Sequence, residues 1–345
     1  MLIRLLQLLP PEAAHALALR LLAWLPSRPP PTSARLATDL AGLRLANPIG
    51  LAAGLDKNGT ALRGLASLGF GFIEFGTVTP RPQPGNPPPR VFRLREDEAI
   101  INRLGFNNLG MDAAVRELER LGPMPVPIGA NIGMNRDTPD PVVDYRLGVR
   151  RLHPLVDYVT VNLSSPNTPG LRALQHGDAL RRLLDGVLDE RASLKDPPRP
   201  LFIKLSPDIP ESDLDDLVEV LELRRPDGLI IGNTTLARPP GLRSRHRREP
   251  GGLSGRPLAP IAARALSAIA TRVGGRIPLV AVGGIGDPAA VLDRLSRGAT
   301  AVQLYTALTY RGPGLVRRLV RELDALLRRG GRGPEVTLDR TPPHL

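Results

Sequence analysis

A polar loop that directly follows an apolar segment is the most informative stretch of this chain. Residues 159–170 read VTVNLSSPNTPG, so a β-branched strand is predicted to run into a turn rich in amides and hydroxyls. Asn162, Ser165 and Asn167 in this turn can hydrogen-bond a small planar ligand. The 345 residues include no cysteine. An acid–base or nucleophilic step in this loop therefore has to use a hydroxyl group.

Two lysines come from the ends of two other predicted strands and suggest a charged or covalent role. Lys57 and Lys204 could form a Schiff base, or they could stay cationic and balance negative charge on a substrate or an electron-rich cofactor ring. Neutral amides at the same predicted edge suit a planar imide better than sugar chemistry and favour the second alternative: Asn102, Asn131, Asn162, Asn167 and Asn233. Asp56 is the only acid there, and its pattern favours a structural carboxylate bonded to backbone N–H groups.

The elements that must position these residues are predicted as eight strand–helix units. Short apolar runs fit strands at 48–52, 72–76, 127–131, 158–162, 201–205, 228–231, 278–282 and 301–304. Amphipathic helical patterns at 111–121, 180–194, 212–223 and 261–273 lie between them. This spacing predicts an α/β fold, a (β/α)8 TIM barrel with catalytic groups at the carboxyl ends of the strands. A doubly wound sheet is the competing fold, and the lack of a GxGxxG sequence after the first strand disfavours it.

The last two strand ends indicate a phosphate group. Gly283 and Gly284 allow close backbone approach after the seventh strand, and Thr306 can cap a helix after the eighth. An ordinary glycine turn with a capping threonine is the alternative. None of the five histidines lies at a predicted strand end and no GxSxG sequence occurs, which disfavours a Ser-His-Asp hydrolase. No metal site is predicted.

The N-terminus is predicted to form two short helical segments bounded by prolines, with no run of the ~18 apolar residues that a membrane span requires. Leu17, Leu21, Trp24 and Leu25 share one face, which fits a membrane contact or the entrance of a hydrophobic tunnel. A helical hairpin packed on the barrel fits equally well. We divide the chain into this extension, residues 1–30, and the barrel, residues 31–345.

The charge balance points to a solvated basic surface. Lys and Arg number 46 and Asp and Glu number 34, a formal charge of +12. The arginines are spread along the chain without interleaved aromatic residues, so we expect no nucleic-acid partner.

Five sequence blocks resemble the dihydroorotate dehydrogenase family. They read GLDKNG from Gly54, FGTVTPRPQPGNP from Phe75, INRLGFNN from Ile101, VNLSSPNTPG from Val161 and GGLSGRPL from Gly251. The match runs in order from about residue 3 to about residue 325. The N-terminal helical pair, and a serine in place of a cysteine in the fourth block, resemble the class 2 branch that reduces quinones.

The resemblance implies an FMN-containing barrel that oxidises (S)-dihydroorotate to orotate in pyrimidine synthesis, with a membrane quinone as electron acceptor. Ser165 would be the base for the C5 proton, with water or Thr168 as a relay because a serine hydroxyl is a very weak base. The implied substrate contacts are Lys57, Asn102, Arg103, Leu104, Gly105, Phe106, Asn162, Asn167, Asn233 and Thr234. The implied FMN contacts are Ala53, Gly54, Leu55, Asp56, Lys57, Thr77, Asn131, Asn162, Lys204, Gly232, Gly255, Gly284, Tyr305 and Thr306.

Further expectations follow from the same resemblance. His15 and Arg93 match positions that line the quinone tunnel, and Lys204 would stabilise negative charge on the reduced ring. Gly232 stands where relatives often have a serine or threonine that touches the flavin. The implied location is peripheral, on the cytoplasmic face of the cell membrane, and a monomer is compatible with the sequence. Another flavin barrel, a tRNA dihydrouridine synthase, would need a cysteine acid that this chain lacks.

Overall fold

A closed parallel barrel forms the body of the chain between residues 6 and 329, the residues that the computed structural model describes. In chain order the strands are β1 (Thr38–Leu40), β2 (Leu43–Leu45), β3 (Ile49–Leu51), β4 (Phe72–Val78), β5 (Val91–Leu94), β6 (Ala99–Asn102), β7 (Ile128–Ile132), β8 (Tyr158–Asn162), β9 (Leu201–Leu205), β10 (Gly228–Ile231), β11 (Gly252–Gly255), β12 (Leu279–Val282) and β13 (Ala301–Leu304). The α-helices are α1 (Pro11–Ala23), α2 (Leu62–Ala66), α3 (Met111–Leu121), α4 (Pro141–Leu152), α5 (Gly177–Ala192), α6 (Leu214–Arg224), α7 (Ala259–Val273), α8 (Pro288–Ser296), α9 (Thr306–Arg311) and α10 (Leu315–Arg329).

The barrel confirms the fold predicted from the sequence. Its strands run in the order β3, β4, β7, β8, β9, β10, β12 and β13, and β13 pairs with β3 to close it. All eight pairings are parallel. The strands are near-continuous apolar runs because they are buried on both faces, and leucines of the surrounding helices, such as Leu183, Leu217 and Leu266, pack in the same core. Observed and predicted strand ends differ by at most two residues.

Two smaller sheets were not predicted. The hairpin β1–β2 lies at the amino end of the barrel, where Leu40 and Leu45 join a cluster with Phe72, Tyr158 and Phe202. Strands β5, β6 and β11 form an antiparallel sheet whose members are contributed by two separate loops at the carboxyl end of the barrel. This second sheet brings the end of β6 and the end of β11 to the predicted site.

The second predicted N-terminal helix is α1, which contacts α2 and β5. The first predicted segment lies mostly in residues 1–5, outside the described residues. Glu12 of α1 pairs with Arg90 at 2.9 Å, and this bond fastens the helix to the loop before β5. In the described part of the chain, no helix is both long and apolar enough to cross a membrane.

Candidate active site

A cavity of about 740 Å³ runs from the carboxyl ends of the barrel strands to α1. Its volume lies in the range of cofactor and ligand sites. The cavity brings together residues from all the predicted sets: Ala53, Gly54, Leu55, Lys57, Thr77, Asn102, Leu104, Gly105, Phe106, Asn162, Ser165, Asn167, Lys204, Asn233, Thr234, Gly255, Gly284, Tyr305 and Thr306, with His15 and Arg93 of the tunnel set. Elements that are far apart in sequence therefore contribute to one concave site.

Four predicted site residues do not line this cavity: Asp56, Arg103, Asn131 and Gly232. The guanidinium of Arg103 lies over the Phe92 ring at 4.6 Å and pairs with Glu249 at 3.0 Å. These contacts hold it at the antiparallel sheet of β5, β6 and β11, away from the cavity. Asp56 is buried and accepts the backbone N–H groups of residues 58–61 at 2.7–3.2 Å. Asp56 is therefore a structural carboxylate bonded to backbone N–H groups, as its sequence pattern predicts.

Gly232 has a backbone reason to be glycine. Its φ is +121°, and an added Cβ would lie 2.2 Å from the Val282 carbonyl oxygen. A serine or threonine would be strained in this conformation and would collide with the neighbouring strand. Gly232 therefore adopts a conformation that suits glycine, and it offers no side chain to the predicted flavin site.

The loop after β8 holds Ser165 in a buried position. The Ser165 hydroxyl accepts the Asn167 backbone N–H at 3.3 Å, and within residues 6–329 it hydrogen-bonds to no carboxylate or imidazole. The Thr168 hydroxyl is also buried and has no hydrogen-bond partner among the described residues. A base at Ser165 would therefore need a proton relay, as its weak basicity requires.

Side-chain amides form a continuous hydrogen-bonded chain across the barrel mouth. Asn131 Oδ1 accepts from Thr77 Oγ1 at 2.6 Å and from Asn162 Nδ2 at 3.0 Å. Asn162 Oδ1 accepts from Ser164 Oγ at 2.9 Å, and Ser164 Oγ accepts from Asn233 Nδ2 at 2.8 Å. The predicted flavin side, Thr77 and Asn131, is thus connected to the predicted substrate side at Asn233.

A buried ion pair lies inside the barrel below this chain. Lys204 Nζ is 3.4 Å from Glu74 Oε1, and both side chains are almost fully excluded from solvent. Glu74 was not selected from the sequence, although a glutamate in the apolar segment FIEFGTV is a visible signal. A charge is seldom buried in a strand without a partner. Gln303, in the apolar segment AVQL, was missed in the same way.

Burial changes the proton affinity of two residues between the barrel and α1. Burial lowers the pKa of Lys57 to about 8, and the nearby carboxylates of Asp56 and Glu12 oppose part of this effect. Burial and the charge of Lys57 lower the pKa of His15 to about 4. Neutral His15 donates from Nε2 to the Leu55 carbonyl oxygen at 2.6 Å. At pH 7 this part of the cavity therefore carries a mostly charged lysine beside an uncharged imidazole.

The end of the cavity at α1 is apolar and lies next to solvent. Leu21 and Leu25 line the cavity while remaining 46% and 45% exposed, and Trp24 beside them is 88% exposed. Arg93 donates to the carbonyl oxygens of Gln7 and Leu9 at 3.0 and 2.9 Å, which fastens the chain before α1 to β5. This exposed apolar patch is continuous with the interior of the barrel.

The donor set of the inner cavity fits a flavin nucleotide. Gln303 Oε1 and Thr234 Oγ1 are buried polar atoms without a partner among the described residues, and both residues line the cavity. Gly284 and Thr306 line its other side, where parallel barrels commonly hold a phosphate. Asn162 and Lys204 lie at the adjoining strand ends. The cavity therefore offers hydrogen-bonding groups for a ring at the barrel centre and for a phosphate at its side.

Comparisons with known proteins agree with this geometry. A sequence model described as dihydroorotate dehydrogenase matches residues 35–327. "Dihydroorotate dehydrogenase (quinone)" of Sphingopyxis alaskensis is 50% identical over 324 residues, which cover 93% of this chain and 90% of that protein. The mitochondrial protein of the same name from Mus musculus is 47% identical over 335 residues, 94% of this chain and 85% of its own length.

Solved structures show the same relationship. The crystal structure of DHODH from Eimeria tenella in complex with ferulenol has a TM-score of 0.89 and 39% sequence identity, covering 93% of this chain and 92% of that one. The fold and the site define a barrel whose cavity can hold a ring cofactor and a small planar substrate. The chain belongs to the dihydroorotate dehydrogenase family.

Proposed function

We propose that this protein oxidises (S)-dihydroorotate to orotate in pyrimidine synthesis, with FMN as prosthetic group and a membrane quinone as electron acceptor. The observation that carries the proposal is the cavity itself. It joins Ser165, Asn162 and Lys204 to the apolar end of the cavity at α1 in one continuous space. Relatives named for quinone-dependent dihydroorotate oxidation cover nearly the whole chain, which supports the same activity.

FMN would be held by the strand ends at the centre of the barrel. Thr77, Asn162 and Lys204 would contact the ring, and Gly255, Gly284 and Thr306 would surround the phosphate. When bound, FMN supplies two-electron redox chemistry between the substrate and the quinone. Lys204 would place a positive charge where the ring gains electrons.

The substrate would lie between the FMN site and the loop after β8. Asn102, Asn167 and Asn233 offer neutral donors and acceptors to the imide edges, and Lys57 offers a cation to the carboxylate. Ser165 would take the C5 proton and pass it to water or to Thr168. The loop is anchored by Tyr145, which donates to the Asn162 carbonyl oxygen at 2.6 Å, so the serine is held at a defined position.

The quinone would enter through the apolar patch on α1 and reach the barrel past His15 and Arg93. We infer that residues 1–30 form this entrance as a separate extension and that residues 31–345 form the catalytic barrel. The exposed side chains of Leu21, Trp24 and Leu25 suit insertion at the boundary between the lipid headgroups and the acyl chains. This route supports a peripheral membrane contact. We propose the cytoplasmic face of the cell membrane as its location and a monomer as the acting form, as the family resemblance implies.

The proposal is tested with the purified full-length protein. We expect a flavin absorbance spectrum that dihydroorotate bleaches without oxygen and that a quinone restores. Ser165→Ala should bind orotate normally and bleach about 10²–10⁴-fold more slowly, the usual contribution of a general base.

Ser164→Ala is the matched control for this experiment. The Ser164 hydroxyl bonds Asn162 and Asn233, so its loss should weaken orotate binding more than it slows bleaching. A colourless protein would contradict the FMN assignment. Unchanged bleaching in Ser165→Ala would remove that residue from its role.

A further inference from the structure

The carboxylate of Glu74 is saturated by donors from four other barrel strands. Oε1 accepts from Asn131 Nδ2 at 2.7 Å and lies 3.4 Å from Lys204 Nζ. Oε2 accepts from Gln303 Nε2 at 2.9 Å and from Thr160 Oγ1 at 3.1 Å. A carboxylate offers about four lone-pair sites, and all of them are used here. The group is 0% exposed, so bulk solvent does not reach it.

This carboxylate is the counter-charge of Lys204. The lysine is 3% exposed, and Glu74 is the anionic group with which it forms an ion pair within the described residues. Coulomb interactions are strong inside a protein because the effective dielectric constant is low. The positive charge that Lys204 presents to the cavity is therefore partly cancelled by a fixed negative charge behind it.

We propose that Glu74 is a positioning residue that sets the redox potential of the bound flavin through Lys204. The inference rests on the proposed function, because it requires FMN beside the lysine. With Glu74 in place, the pair is nearly neutral and the flavin gains only part of the electrostatic help that an isolated ammonium group would give. The flavin then remains a good electron donor to the quinone.

Glu74→Gln is a clean probe of this charge. The remaining carbonyl oxygen can still accept from Asn131 and Lys204. The new NH2 group would face Thr160, whose hydroxyl can rotate and accept. It would also face Gln303 Nε2, so the Gln303 amide would have to flip and present Oε1, which has no partner in the described structure. The variant therefore removes the charge and keeps a side chain of the same size and shape, at the cost of reversing two hydrogen bonds.

The experiment measures the midpoint potential of FMN in the full-length holoprotein by reductive titration with a reference dye. Glu74→Gln should shift the potential to a more positive value, because Lys204 is no longer compensated. It should also change the two half-reactions in opposite directions, with faster bleaching by dihydroorotate and slower recolouring by quinone. A merely structural role would slow both half-reactions.

Thr160→Val is the matched control. It removes one hydrogen bond from the same carboxylate but keeps its charge, so the potential should stay at the value of the unmodified protein. If Glu74→Gln does not fold, Glu74→Asp replaces it. The shorter side chain withdraws the charge from Lys204 by about 1.5 Å, one C–C bond, and should give a smaller shift of the same sign.

The outcomes separate this inference from the proposed function. An unmodified protein without FMN would contradict the proposed function. If the unmodified protein contains FMN but the Glu74 variant has the same midpoint potential, or a more negative one, the role of Glu74 is overturned. The proposed function is unaffected by that result.

Discussion

The affinity for orotate should fall as pH rises through the pKa of Lys57. Lys57 Nζ uses one of its three donors on the Gly54 carbonyl oxygen at 2.9 Å, which leaves two for a ligand carboxylate. Burial lowers the pKa of this lysine to about 8. Deprotonation therefore falls within an accessible pH range, and it removes the positive charge that would attract the anionic ligand.

The size of the effect follows from this pKa. With a pKa of about 8, about 90% of Lys57 is charged at pH 7 and about 10% at pH 9. If only the charged form binds the carboxylate, the Kd for orotate should rise about tenfold across these two pH units. The rise of this Kd with pH should be steep above pH 8 and small below pH 7.

The assay is a fluorescence or calorimetric titration of the holoprotein with orotate between pH 6.5 and 9.5, using Lys57→Gln and Lys195→Gln. Lys57→Gln should bind orotate weakly at every pH, and its Kd should no longer depend on pH in this range. Lys195 is the matched control because it is exposed, and its variant should retain the full pH dependence. A change of about tenfold that persists in Lys57→Gln would refute the assignment of this pH dependence to the lysine.

Two further predictions concern α1. The pKa of His15 is lowered from 6.5 to about 4 in the folded protein. Between these pH values the unfolded chain binds more protons than the folded one. The free energy of unfolding should therefore fall by about 3 kcal/mol as the pH falls through this window. Urea unfolding should show less of this loss in His15→Gln, whose amide can still donate to Leu55. Deletion of residues 1–30 should abolish quinone reduction and vesicle binding but keep dihydroorotate oxidation by artificial acceptors. Full quinone activity after the deletion would contradict the proposed entrance.

The barrel could be predicted because parallel strands buried on both faces leave an unmistakable apolar pattern. Segments 158–162 and 201–205 match β8 and β9 at both ends. The antiparallel sheet could not be found in this way. Strands β5, β6 and β11 have only four residues each, and β11 pairs with a partner about 150 residues earlier in the chain. Such short non-local pairings depend on the barrel that brings the loops together.

The residues of the site were predicted more completely than their functions within it. The family resemblance implied that Asn131 and Asp56 are cofactor contacts, yet neither side chain lines the cavity. Asp56 holds its own loop, and Asn131 transmits the orientation imposed by a carboxylate below it. A sequence indicates which residues share a strand end, but not which of them face the ligand and which support those that do. That distinction depends on hydrogen-bond direction, which only the folded arrangement defines.

Glu74 illustrates why residues that support the ligand-facing side chains matter for the chemistry. Since a carboxylate only accepts hydrogen bonds, the amide nitrogen of Asn131 must face it, and Asn131 Oδ1 must face Thr77 and Asn162. Asn162 then presents its own oxygen to Ser164, and Ser164 can accept from Asn233. One buried charge thus orients the hydrogen bonds that run from Asn131 through Asn162 and Ser164 to Asn233. The same charge partly neutralises Lys204, so one residue influences both the orientation of the substrate contacts and the electrostatics of the flavin site.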